Sequence, residues 1–209
     1  IDTLSPLGAD RAARALETQA ALHAATHGVA TPSWLVTGSD DPLLPLVCAV
    51  LPRLGRRVAE QDPALVARAG ERLLGSYRGW APLLDEGPGC VLHGDPHPGN
   101  TYVLGQGDDE RVGLLDWQAV RLGHPLRDVA YLLVLGLETD ERRAHERELV
   151  GDYLARLAAA GGPSYGEEEG WLVYRRMAAY AYVASTFTVG LGGLQEDDVA
   201  SAGLRRAVA

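Results

Sequence analysis

Apolar residues recur at helical spacing along most of the chain, and they form short continuous runs only near its middle. The first helix is predicted between Asp10, which can cap its start, and about His27. One face of this segment repeats every three or four residues, as expected for a helix that packs on a core. Its members are Leu16, Ala20, His23 and His27.

The same period predicts further helices on both sides of the centre. They cover residues 62 to 77, 125 to 135 and 140 to 160, a long segment from 164, and an amphipathic segment from 196 to 207. Asp62 followed by Pro63 is typical of a helix start, and Ser164 with Glu167 three residues later predicts a capping box. The chain is therefore expected to be mostly helical.

A short β centre is predicted between residues 90 and 115. An apolar run from Cys90 to Leu92 precedes a hairpin, whose strands run from Thr101 to Leu104 and from Arg111 to Leu115. The intervening loop contains two prolines and two glycines, which keep it from becoming helix or strand. Polar side chains on this loop and after the second hairpin strand are expected to converge at the ends of adjacent strands.

Length and composition predict one globular domain over residues 1–209. The chain is 46% hydrophobic and 22% charged, which is ordinary for a domain with a sizeable core. Its formal net charge of −9 disfavours binding to nucleic acid, and it suits either a cationic substrate or simple solubility. Two cysteines make no disulfide framework and no metal-ligand pair, so a reducing cytoplasm is the expected location.

Residues 177–194 lack a formal charge and reach the lower length limit of a membrane-spanning helix. Their tyrosines, hydroxyl side chains and three glycines make the segment only weakly hydrophobic. A helix buried in the core is therefore expected instead of a span, and no membrane partner is predicted.

Two short motifs carry the candidate chemistry. Residues 93–100 read His-Gly-Asp-Pro-His-Pro-Gly-Asn, and residues 114–118 read Leu-Leu-Asp-Trp-Gln. Phosphoryl transfer needs oxygen ligands for Mg²⁺ and a carboxylate that orients the attacking hydroxyl. Asp95, Asn100 and Asp116 can supply these groups. The spacing from Asp95 to Asn100 is also that of a kinase catalytic loop.

With these motifs the chain resembles the aminoglycoside phosphotransferase and choline kinase-like family, whose catalytic loop usually begins His-Gly-Asp. Residues 116–118, Gly123 and residues 127–131 are most similar to its ecdysteroid kinase-like bacterial branch. The resemblance implies the C-terminal lobe of a protein kinase-like fold. It also implies roles for five residues in that lobe. These are Asp95 as the catalytic residue, Asn100 and Asp116 as ligands of Mg²⁺ and through it of the nucleotide, and His93 and Asp128 as structural supports of the loop.

The front half of such a kinase is not recognisable in the chain. In the family, a β-rich N-terminal lobe supplies a phosphate-covering loop and a lysine, but all 19 basic residues here are arginines. We therefore expect a lobe whose N-terminal partner lobe belongs to the same protein, and which is inactive alone. The full-length protein is expected to transfer the γ-phosphoryl group of ATP to a hydroxyl of a small molecule, with GTP as an alternative donor.

Two other functions fit parts of the pattern. A noncatalytic kinase-like binding lobe would explain the missing lysine. A metal-dependent hydrolase would use His93, Asp95 and His97 as ligands on one face of a strand. Pro96 and Pro98 disfavour that strand, because both remove hydrogen-bond donors from the ladder.

The remaining polar residues have simpler interpretations. Arg127 is expected to be solvated. His23 and His27 are expected to pack between helices, since no carboxylate or thiol accompanies them at metal-binding spacing. The acidic clusters at 167–169 and 196–198 are expected to be solvated helix starts, and they would indicate a cationic substrate only if one of them lined a pocket.

Overall fold

A computed structural model describes residues 4–66 and 68–209, and within them eight α-helices surround a small β centre. The helices are α1 (Ala9–Thr26), α2 (Leu44–Gln61), α3 (Arg68–Gly75), α4 (Tyr77–Trp80), α5 (Leu126–Gly136), α6 (Thr139–Ala159), α7 (Glu167–Leu191) and α8 (Asp197–Val208). The strands are β1 (Cys90–Leu92), β2 (Thr101–Leu104), β3 (Arg111–Leu114) and β4 (Arg121–Gly123). The expected class, mostly α with a small β centre, is confirmed.

Two helix starts differ from the predicted caps. α1 begins after Gly8, whose φ of 74° turns the chain, so Asp10 lies in the first turn instead of capping it. The predicted capping box of Ser164 and Glu167 is wrong, because Gly166 precedes α7 and Glu167 is its first residue. The glutamates in this first turn instead place negative charge at the positive end of the helix dipole.

The helix predicted from 62 to 77 is divided. Asp62 caps a short 3₁₀ turn, Pro63–Leu65, by accepting a hydrogen bond from the backbone amide two residues on. Val66 has φ −133° and ψ 75°, which is not helical, so the turn cannot continue. Residue 67 lies outside the described residues, and α3 begins after it.

The four strands form two separate antiparallel pairs. β2 and β3 make the predicted hairpin, with Thr101 paired to Leu114. β1 pairs with β4 in the other two-stranded sheet. The expectation that β1 and the second hairpin strand are adjacent is therefore wrong. A loop, and not a shared sheet edge, connects Asp95 to the hairpin.

α5 lies at the centre of the fold. All of its residues are buried, and it packs against α1, α6, α7 and α8. The uncharged segment 177–194 falls in α7 and the turn after it, and α7 packs against α2, α5 and α8. None of the described helices is both long and apolar enough to cross a membrane. Because α5 also carries Arg127 and Asp128 into the interior, both side chains need buried partners.

Candidate active site

Asp128 on α5 holds the first part of the loop 93–100. Its carboxylate accepts hydrogen bonds from His93 N at 2.7 Å and from Gly94 N at 3.1 Å. Gly94 has a φ of 87°, and a Cβ atom there would lie 2.0 Å from the carbonyl oxygen of Ala119. Only glycine fits at this close approach, so the loop follows one path past the end of the hairpin.

A buried hydrogen-bond chain supports Asp128 from behind. His23 Nε2 lies 3.4 Å from Asp128 Oδ2, and His23 Nδ1 lies 2.8 Å from the Tyr153 hydroxyl. The tautomer with its proton on Nε2 satisfies both contacts, because Nε2 then donates to the carboxylate and Nδ1 accepts from the hydroxyl. The sequence indicated that His23 packs between helices but gave no sign of this support. Its only signal was a histidine on an otherwise apolar helix face.

His93 connects the loop to the chain segment after β3. Its Nε2 lies 2.7 Å from Leu115 O, and its Nδ1 accepts a hydrogen bond from Asp95 N at 3.3 Å. The ring also packs on Trp117, with centroids 4.8 Å apart. Both ring nitrogens are engaged by the backbone, so His93 cannot serve as a metal ligand in this arrangement. The hydrolase alternative requires three such side chains grouped around a metal. Among the described residues, no three His, Cys, Asp or Glu side chains are grouped in this way.

The second part of the loop brings Asp95, His97 and Asn100 together. Asn100 Nδ2 donates to the backbone oxygen of Asp95 at 2.9 Å and to its Oδ2 at 3.2 Å. His97 Nε2 lies 3.6 Å from the same Oδ2, and His97 Nδ1 accepts from Gly99 N at 3.1 Å. Burial lowers the pKa of His97, and the negative charges of Asp95 and Asp116 offset only part of that effect. A neutral His97 with its proton on Nε2 therefore faces the Asp95 carboxylate.

Asp116 lies just past the end of β3 in a left-handed backbone conformation, with a φ of 56°. Its Oδ2 accepts from Gln118 Nε2 at 3.3 Å. Leu115 N donates to Asn100 O at 2.8 Å, so Asn100 and Asp116 lie on neighbouring chain segments. Left-handed backbone in a residue other than glycine costs about 1–3 kcal/mol and is concentrated at functional sites. Asp95 and Asn100 are thus in direct contact, whereas the backbone links Asp116 to them.

Arg127, next to Asp128, is buried, so the expectation of a solvated arginine is wrong. Its Nη1 lies 3.6 Å from Asp85 Oδ1, and its guanidinium lies 3.8 Å from the centre of the Tyr180 ring. Asp85 Oδ2 in turn accepts from Ser39 N at 2.8 Å and from Ser39 Oγ at 2.6 Å. The ion pair therefore joins α5 to the segment that precedes α2. The sequence pattern did not predict this ion pair, because the enclosure of α5 on every side follows from the packing of distant helices.

A cavity of about 190 Å³ lies beside Asp95, between α5, α7 and α8. Burial, followed by the charge of Asp95 and a hydrogen bond to it, raises the pKa of Tyr131 well above its ordinary value. The Tyr131 hydroxyl therefore stays protonated beside Asp95. The lining consists of Asp95, His97, Gln118, Tyr131, Leu135, Ser185, Thr188, Leu194, Gln195, Val199, Ala200 and Gly203. Most of these residues come from helices far from the motifs, and the sequence gave no signal for them.

The model of the phosphotransferase enzyme family matches residues 76–180, just over half of the chain. The chain belongs to this family. The matched region contains the loop 93–100, Asp116 and α5, which together form the candidate active site. The resemblance drawn from the two motifs is confirmed at the level of the family, and its bacterial branch stays a prediction.

Among solved structures, this chain is similar to the apoenzyme of a macrolide 2′-phosphotransferase from Brachybacterium faecium, with 21% sequence identity and a TM-score of 0.46. The match covers 97% of this chain and 62% of that protein. The chain thus spans less than two thirds of the length of the protein it matches. Comparison with curated proteins gives no match.

Proposed function

We propose that the chain is the catalytic-loop and substrate-binding lobe of a longer phosphotransferase, which transfers the γ-phosphoryl group of ATP to a hydroxyl of a small molecule. The contact between Asp95 and Asn100, on a loop anchored by Asp128, carries the proposal. It places a candidate base beside an oxygen ligand, and family membership supplies the reaction class. GTP is the alternative donor. The proposed setting is the cytoplasm, with the N-terminal lobe of the same protein as the partner.

In this proposal Asp95 orients the acceptor and takes its proton. Asn100 Nδ2 holds Asp95 Oδ2 at 3.2 Å, and His97 Nε2 lies 3.6 Å from the same oxygen. Tyr131 lines the cavity beside the carboxylate. The amide of Asn100 thus fixes the position of the carboxylate at the edge of the cavity, with the His97 ring beside it. An acceptor hydroxyl in the cavity donates its hydrogen bond to Asp95 and loses its proton to it as the new O–P bond forms and the bond between the γ-phosphorus and the bridging oxygen of ADP breaks.

Asn100 and Asp116 suit the binding of Mg²⁺. Asn100 uses its amide nitrogen on Asp95, which leaves Oδ1 as its metal-binding atom. Asp116 is exposed and supplies a carboxylate from the neighbouring segment. One carboxylate and one amide oxygen are enough for this ion, since Mg²⁺ usually completes its shell with water and substrate phosphates. When bound, the ion would neutralise phosphate charge.

Substitution of Asp95 tests the proposal in the full-length protein. Asp95→Asn should lower kcat by about 10³-fold, because the amide keeps the shape of the side chain but cannot accept the proton. The measurement is transfer of labelled γ-phosphate from ATP to acceptors, beside nucleotide affinity, which should be unchanged. Asp108→Asn, the same change on the exposed hairpin turn, is the control. Equal turnover in the two variants would exclude Asp95 as the base.

A further inference from the structure

The cavity beside Asp95 is polar but almost uncharged. Besides the Asp95 carboxylate, the polar groups that line it are the two amides of Gln118 and Gln195, the hydroxyls of Ser185, Thr188 and Tyr131, and the His97 imidazole. Among the described residues, no arginine, glutamate or second aspartate belongs to the lining. His97 adds no negative charge in either protonation state. The polar groups are those that pair with hydroxyls, which both donate and accept hydrogen bonds.

An ammonium group has no carboxylate partner in this cavity other than Asp95. Moving a charged group out of water costs several kcal/mol unless an opposite charge compensates it. Pairing with Asp95 would occupy the group that the reaction needs for the acceptor hydroxyl. The clusters at 167–169 and 196–198 do not supply the missing charge, since none of their side chains lines the cavity. The condition under which a cationic substrate was expected is met by Asp197, but in the adjoining cavity, where Arg57 lies in the same wall.

The adjoining cavity does not supply a net negative charge either. A second cavity of about 240 Å³ shares Thr188, Gln195 and Ala200 with the first, and it carries Arg57 and Asp197. One positive and one negative side chain leave no net charge at this outer edge. A positively charged acceptor would meet an arginine there as readily as an aspartate.

The aromatic group in the lining is a poor substitute for a carboxylate. Tyr131 is only 8% exposed, and its ring lies 5.9 Å from that of Tyr180, so one neighbour already packs against it. Binding of quaternary ammonium groups ordinarily uses a cage of several aromatic faces. Of the residues that line this cavity, Tyr131 is the sole aromatic besides the His97 ring.

Resting on the proposed function, we infer that the acceptor presents an uncharged, hydroxyl-bearing ring or alcohol to Asp95, and that Gln195, Ser185 and Thr188 select against acceptors that carry ammonium groups. The cavity of about 190 Å³ is smaller than ordinary small-molecule pockets, which hold about 300–1,000 Å³, so it takes one ring-sized part of the acceptor. Leu135, Leu194 and Val199 contact the apolar side of that ring.

Two probes that differ at one position test this inference by binding alone. Methyl α-D-glucopyranoside is neutral, and its 6-amino-6-deoxy analogue replaces one hydroxyl with an ammonium group. Saturation-transfer NMR titrations on the chain should give an affinity for the neutral probe about tenfold higher. Ala200→Leu, which fills the cavity, should remove binding of the neutral probe and thereby locate it.

Adding one carboxylate should abolish the preference. The Gln195 side chain lies in the cavity wall, with its Nε2 3.3 Å from His97 Nε2. Gln195→Glu keeps the size of the side chain and places a carboxylate beside His97 and the bound ring, so the amino probe should gain about tenfold in affinity at low salt and lose the gain in high salt. Gln106→Glu makes the same change on the exposed hairpin turn and should alter neither affinity.

The inference is overturned if the wild-type chain binds the amino probe as tightly as the neutral one, if neither probe binds, or if Ala200→Leu leaves binding intact. None of these results bears on whether Asp95 is the base, because that is decided by phosphoryl transfer in Asp95→Asn. Probe binding therefore tests the inferred acceptor class, and phosphoryl transfer tests the proposed function separately.

Discussion

The loop 93–100 and the cavity beside Asp95 share Asp95 and His97 but are built in different ways. The loop is a short run of sequence tied by named hydrogen bonds to the single buried carboxylate of Asp128, with His23 and Tyr153 behind it. The cavity is the space left where α5, α7 and α8 pack, and Gln195 in its wall contacts the loop at His97, with their Nε2 atoms 3.3 Å apart. The difference indicates that changes at the loop support should affect stability and reaction together, whereas changes in the cavity wall should affect only which acceptor binds.

The largest effect is expected from removing the anchor of the loop. Asp128→Ala leaves the amides of His93 and Gly94 without their acceptor in a buried place, which should lower the free energy of unfolding by about 4 kcal/mol. Asp128→Asn keeps one acceptor oxygen and should cost about half as much. Chemical denaturation of the chain measures both, with the exposed Asp152→Ala as the control. If Asp128→Ala matched that control, the loop would not depend on Asp128.

The next largest effect on stability is expected at the start of α5, a helix that contributes to both regions. His124 Nδ1 accepts from Leu126 N at 3.2 Å, its Nε2 lies 3.0 Å from the Tyr165 hydroxyl, and burial is the main reason that its pKa falls from 6.5 to about 4. Below pH 6.5 the unfolded chain takes up a proton that the folded chain does not. The stabilisation is therefore complete above pH 6.5 and is lost as the pH falls towards 4, by about 3 kcal/mol in total.

Urea unfolding between pH 7 and pH 4.5 measures this loss. His124→Gln should flatten the pH dependence, whereas His145→Gln, at an exposed histidine on α6, should leave it as in the wild-type chain. An identical slope in His124→Gln would assign the loss of stability to other groups.

The smallest effect on stability is expected in the cavity wall. Thr188 lines the cavity, and its hydroxyl donates to the backbone oxygen of Ala184 at 3.1 Å. Thr188→Val removes this hydroxyl and keeps the branched shape, so the free energy of unfolding should change by less than about 1 kcal/mol. In the full-length protein this variant should raise KM for the acceptor several-fold, with kcat and nucleotide affinity nearly unchanged. A fall in kcat as large as that of Asp95→Asn would show that the two regions are not separable.

The sequence predicted the helical class, the hairpin and the contact pair Asp95 and Asn100. These depend on neighbours within a few residues, which periodicity and turn residues report directly. The predicted start of α7 was wrong. Ser164 and Glu167 have the spacing of a capping box, but the residue that precedes the helix is Gly166. The burial of Arg127 was missed because a pattern records which residues are apolar and not which polar ones the packing encloses.

By itself the sequence determined the chemistry that the site can offer, because Asp95, His97 and Asn100 lie on one short loop that proline and glycine hold open, and residues so close along the chain stay within reach of one another. Only the tertiary structure decided what holds that loop and what it faces. The contacts of His23 with Asp128 and Tyr153 join residues 105 and 130 positions apart. The cavity wall likewise comes from three helices distant in sequence. Such pairings follow from the packing of whole helices, and no local pattern of residues encodes them.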